Sequence, residues 1–111
     1  MKDTPLAGED DWSPDLAVIP PDAIVQVLKI VNQKGLHARA SAKFVQTVEK
    51  FDVEVRVSRG NEFVGGTSIM GLMMLAAGPG TEITVVASGK ERAEVLAALE
   101  TLVNERFGED D

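Results

Sequence analysis

Apolar and polar residues alternate along Val53-Glu54-Val55-Arg56-Val57-Ser58, the two-residue period of a strand with one buried face. Arg59-Gly60-Asn61 behind it is a turn, and Glu62–Gly65 reads as a short returning strand, so the pair predicts a hairpin. Two further stretches read as strands. Ile24–Val31 is rich in β-branched residues, and Glu82–Ser88 sets Ile83, Val85 and Ala87 on one face. Helical periods separate them. Ala38–Phe51 brings Ser41, Phe44, Val45, Val48 and Phe51 onto one side, and Glu91–Phe107 does the same with Val95, Leu96, Leu99, Leu102, Val103 and Phe107. A third helix, shorter, runs from about Ile69 to Ala77 and is stopped by Gly78-Pro79-Gly80.

The predicted order is β-α-β-β-α-β-α. The first crossover makes strands one and two parallel, and the hairpin makes two and three antiparallel. Inserting the fourth strand between one and two gives a four-stranded antiparallel sheet of order 1-4-2-3. Three helices then cover one face, an α+β open-faced β-sandwich. The other face should meet solvent, as Glu54 and Arg56 on the polar side of strand two suggest.

Residues 1–22 carry no such period. Pro5, Pro14, Pro20 and Pro21 interrupt them, and six acids stand against Lys2, which predicts a flexible acidic extension. Trp12 is the one large apolar ring there; it is expected to be loosely packed or solvent-exposed, with docking on another surface the alternative. The globular region is expected at 23–108, with 109–111 an acidic tail. The net charge of −7 comes entirely from these two ends, because 23–108 sets ten basic residues against nine acidic ones.

Chain length and 44% apolar content suit one domain, with a core of aliphatic side chains since aromatics are only 5%. Cysteine is absent, so no disulfide staples the fold. No stretch approaches the roughly 20 apolar residues that span a bilayer, and no secretory signal opens the chain. A cytoplasmic protein without membrane insertion is expected. Lys34, Arg39 and Lys43 are too few, without interleaved aromatics, for a nucleic-acid footprint.

The candidate chemistry centres on His37, the single histidine, within Gly35-Leu36-His37-Ala38-Arg39-Ala40-Ser41-Ala42. A glycine breaks the chain ahead of it and a helix starts behind it, so the imidazole belongs at a helix N-terminus. Free N–H groups and the positive dipole end attract anions there. Arg39 adds a planar cation suited to phosphate, and a neutral imidazole is nucleophilic near neutral pH. An ordinary cap or surface histidine is the competing reading. One histidine without cysteine is a poor start for zinc, and no metal or cofactor is expected. Ser68, after Gly65-Gly66-Thr67, is placed to cap the short helix, as Thr67 is too. That helix carries Met70, Met73 and Met74, more apolar surface than its length easily buries; core packing and an adaptable docking surface both explain it.

The run GLHARASA, then SIMGLMML about thirty residues later, then a strand and a long helix, resembles the HPr family of histidine-containing phosphocarrier proteins. The resemblance covers roughly Ala23 to Phe107. It implies that His37 accepts a phosphoryl group at Nδ1 from phosphorylated enzyme I and passes it to an enzyme IIA domain, in a phosphoenolpyruvate-dependent phosphotransferase system. It implies that Arg39 stabilises the phosphoryl group. Ser68 then matches the serine that an HPr kinase/phosphorylase modifies in some branches. The protein is expected to be a covalent shuttle with no turnover alone, a monomer that docks through Ala40, Ile69, Met70 and Met73. Two departures from the family pattern, Ala40 in place of proline and the acidic extension, hint at a regulatory branch. The alternative is a regulatory binding module that acts through Ser68 and the methionine-rich helix, with His37 phosphorylation incidental.

Overall fold

A computed structural model describes residues 18–109. The chain runs β1 (Ile24–Lys29), α1 (Ala38–Val48), β2 (Glu54–Arg59), β3 (Glu62–Gly65), α2 (Ile69–Met74), β4 (Glu82–Ser88) and α3 (Arg92–Asn104), closing with a 3-10 turn at Arg106–Gly108. The sheet order is β1-β4-β2-β3, and every neighbouring pair is antiparallel. The expected open-faced sandwich is therefore the observed fold.

Strand alternation builds the core. Leu28, Val55, Val57, Val64, Ile83, Val85 and Ala87 point from the sheet toward the helices and are buried. Phe44, Val45 and Val48 of α1, Leu72 of α2, and Val95, Leu96, Leu99 and Val103 of α3 close over them. Ala40, Phe44 and Val48 follow one another at four-residue spacing, so Ala40 lies on the core stripe of α1 and is fully buried.

Each element ends where backbone geometry demands it. α1 stops at Val48 rather than Phe51, because Lys50 and Phe51 donate to Thr47 and Val48 in three-residue turns. α2 stops at Met74 rather than Ala77, since Ala76 takes a left-handed conformation at φ 53°. α3 ends at Asn104 although its apolar stripe continues to Phe107. Arg106, Phe107 and Gly108 all have positive φ and reverse the chain, seating the Phe107 ring in the core from outside the helix. β1 ends at Lys29 rather than Val31, although Ile30 still exchanges backbone bonds with Thr81 and Gly80.

The expected extension over 1–22 meets the fold earlier than Ala23. Ala23 N–H donates to Pro20 O in a turn, and the Asp22 carboxylate accepts from Gly89 N–H. Trp12 and the remainder of the extension, 1–17, lie outside the described residues, as do Asp110 and Asp111. Among the described residues, no helix is long and apolar enough to cross a membrane.

Candidate phosphoryl-acceptor site

His37 is the N-cap of α1, with extended backbone angles (φ −78°, ψ −175°). Its carbonyl accepts the first helical bond, from Ser41 N–H at 2.9 Å. The N–H groups of Ala38, Arg39 and Ala40 therefore precede the intrahelical ladder, and the His37 side chain does not cap them. They form a patch of donors beside the imidazole, at the positive end of the helix dipole.

The loop ahead of the helix is held by close packing. Gly35 sits at φ 65°, and a Cβ there would stand 2.4 Å from the carbonyl oxygen of Ala77. That same oxygen accepts Leu36 N–H at 3.0 Å, so the site loop and the segment after α2 are locked together. A shallow cleft of about 230 Å³ opens between them, lined by Lys34, Leu36, His37, Ala76, Ala77 and Gly78.

The structure adds two residues to the predicted site. The reversal at Arg106–Gly108 returns the chain to α1, where the Glu109 carboxylate is hydrogen-bonded to His37 Nε2. Asn32, fully buried, holds the other carboxylate oxygen through Nδ2 at 3.0 Å and shares that amide with Gly35 O at 2.9 Å. Burial pushes the Glu109 carboxyl up. The hydrogen bonds from His37 and Asn32, with the attraction of His37 in its protonated form and of Lys34, outweigh it, and the group lies below the usual glutamate range. Glu109, expected in an acidic tail, is thus a wall of the site. Lys43 anchors the turn by donating to Phe107 O at 2.6 Å. Of the two partners of Asn32, Gly35 is local but Glu109 is remote in sequence, which hides this arrangement from a reading of the sequence.

The remaining predicted residues separate. Arg39 is exposed in the first turn of α1 and makes no hydrogen bond or ion pair among the described residues. Ser68 is the N-cap of α2, its hydroxyl accepting Gly71 N–H at 2.9 Å, so the cap is Ser68 and not Thr67. Ile69, Met70 and Met73 are exposed as expected, and Met74, outside the expected set, joins them at 64%. Leu72 and Leu75 carry the buried side of that segment. Ala40 is a correction. Its side chain faces the core and offers no docking surface, leaving only its N–H to the site.

Comparison with known proteins places this geometry. A family profile described as PTS HPr component phosphorylation site matches residues 24–105. The phosphocarrier protein HPr of Neisseria meningitidis serogroup A is 50% identical over 86 residues, covering 78% of this chain and 97% of that protein. The HPr of Pseudomonas aeruginosa is 47% identical over 85 residues, covering 76% and 94%. The crystal structure of HPr-C-His from Thermoanaerobacter tengcongensis aligns with a TM-score of 0.75 at 38% identity, over 79% of this chain and 99% of that one. A helix-capping histidine on a 1-4-2-3 sheet, matched in sequence and in structure across nearly the full length of such proteins, identifies the chain as a member of the HPr family, phosphocarrier proteins of the phosphotransferase system rather than catalysts.

Proposed function

We propose that His37 receives the phosphoryl group at Nδ1 from phosphorylated enzyme I and delivers it to an enzyme IIA domain. The contact between Nε2 and Glu109 carries this reading. An ionised carboxylate can only accept, so Nε2 must hold the proton, and in the neutral ring the lone pair then rests on Nδ1. Nδ1 forms the new N–P bond while the bond from phosphorus to the donor's atom breaks. The ring keeps its Nε2 proton and becomes cationic, and Glu109 neutralises the charge that appears, much as a buried carboxylate steadies a catalytic imidazolium.

Three phosphoryl oxygens need compensation in such a transfer, which depends mainly on positioning and charge. The N–H groups of Ala38, Arg39 and Ala40 and the guanidinium of Arg39 supply it from one side of the ring. Ala40, unlike proline, keeps its N–H and adds a donor to this set. The docked partner supplies the rest and excludes water. Incubation with enzyme I and phosphoenolpyruvate should yield an acid-labile phosphoprotein. His37→Ala should give none, and label that persists in it would overturn the reading.

The exposed row Ile69, Met70, Met73 and Met74 beside Ser68 supports a second layer. Phosphate on Ser68 brings about −1.5 to −2 charges, tolerated by the N-terminus of α2 but costly to desolvate when this apolar surface meets a partner. Ser68 is then an off-switch for docking, the form in which the regulatory branch is proposed here. A pure binding module, indifferent to His37, is distinguished by partner binding that responds to Ser68 substitution but not to His37→Ala.

A further inference from the structure

The sheet face opposite the helices is not an ordinary solvated surface. Alternation turns Val25 and Val27 of β1 outward, and they are 48% and 54% exposed. Register lines up two rows across this face: Val25, Val86, Arg56 and Gly65, then Val27, Thr84, Ser58 and Phe63. The β1 and β4 positions of the first row, Val25 and Val86, are apolar, and so are both ends of the second, Val27 and Phe63. No helix packs here among the described residues, yet Val86 and Ser58 are buried, at 6% and 7%.

The described chain begins on this same face. The Arg56 guanidinium donates to the carbonyl of Val18, and Asp22 ties the following turn to Gly89 at the end of β4. The seventeen residues before Val18 therefore join the described chain at a point bonded to β2, an interior strand, on the face away from the helices. Among them are Leu6, Trp12 and Leu16, while Pro5 and Pro14 favour extended backbone over helix.

We propose that residues 1–17 cover this face from within the same molecule, with Trp12 seated against Val25, Val27 and Val86. Reach permits it. Trp12 stands six positions before Val18, an extended span of roughly 20 Å, while the four strands measure about 14 Å from first to last. Tethering favours this occupant over a second copy, because a short linker holds its segment at roughly millimolar effective concentration. The cover removes an apolar surface that a separate molecule would otherwise take, and it leaves the His37 and Ser68 side of the fold open.

Trp12 is the single tryptophan and the chain has no tyrosine, so its fluorescence reports on this contact alone. In the full chain its emission should be blue-shifted, with acrylamide quenching several-fold weaker than for N-acetyltryptophanamide at every protein concentration. Val25→Lys with Val27→Lys should restore strong quenching while circular dichroism and His37 labelling stay unchanged. As a check that leaves the sheet intact, Trp12→Ala should shift the amide resonances of Val25, Val27 and Val86 and speed hydrogen exchange beside them. Free-dye quenching in the unaltered chain would overturn the proposal. So would protection that survives the paired lysines, amide resonances that ignore Trp12→Ala, or protection that rises with concentration as dimers appear in sedimentation.

Discussion

Glu109 and His37 are separated by 72 positions in the chain, yet the carboxylate of one is hydrogen-bonded to Nε2 of the other. In the function proposed above this contact leaves the lone pair on Nδ1, and Asn32 holds the carboxylate that makes it. His37 is the bearing residue in this account and Glu109 a positioning residue. Glu109→Gln should mix the two imidazole tautomers, visible in the ¹⁵N shifts of the His37 ring. It should slow phosphorylation about tenfold, since a charge-assisted hydrogen bond exceeds a neutral one by about 1.4 kcal/mol. Unchanged ring shifts in this variant would remove Glu109 from the account.

The same pair sets a pH dependence. The Glu109 carboxyl lies below its ordinary value, so its contribution to stability is complete above the usual glutamate range. That contribution is lost as pH falls through the lowered value, when the carboxyl takes up a proton. A ¹³C titration of the side-chain carboxyls should show Glu109 protonating later, on acidification, than free glutamate side chains do. His37→Ala should move it back toward them.

How much of this was legible beforehand depends on distance along the chain. Alternation in β2 and β4, the hairpin at Gly60 and the glycines ahead of His37 and Ser68 are local signals, and the fold and both helix caps follow from them. The placement of Ala40 was legible too, because positions 40, 44 and 48 share one face of α1. Glu109 was not. It reaches His37 only through a reversal built on Arg106 and Phe107 at positive φ, which neither residue's propensity announces. An apolar Phe107 in step with Leu99 and Val103 instead reads as continued helix.

Arg39 is exposed and bonded to nothing among the described residues, so its loss should leave stability unchanged. Arg39→Ala should slow transfer on the order of a hundredfold, the effect of removing one donor aimed at developing charge. Arg39→Lys should recover part of this, since the charge returns without the planar fork. Stopped-flow phosphorylation by enzyme I, paired with urea unfolding, separates the two effects.

Gly35 combines positive φ with a position where an added Cβ would collide with Ala77 O. Gly35→Ala must open the junction between the site loop and the segment after α2. A loss of about 1–3 kcal/mol is expected in urea unfolding, along with weaker phosphorylation as His37 shifts relative to its donors.

Ser68 separates capping from charge. Ser68→Ala removes the acceptor for Gly71 N–H and should cost about 1 kcal/mol with little effect on transfer. Ser68→Asp keeps a competent cap and should fold normally. It should slow acceptance from enzyme I about tenfold, because desolvating one unpaired charge beside Met70 and Met73 costs at least about 1.4 kcal/mol. Equal transfer rates for both variants would reduce Ser68 to a cap.

The central claim concerns one atom. Phosphorylating ¹⁵N-histidine-labelled protein with enzyme I and phosphoenolpyruvate, then recording ¹⁵N–³¹P couplings of the His37 ring, identifies the nitrogen that carries phosphorus. The account predicts coupling to Nδ1, with Nε2 still protonated and facing Glu109. Phosphorus on Nε2, or a phosphoprotein whose histidine ring shows no coupling, would contradict it.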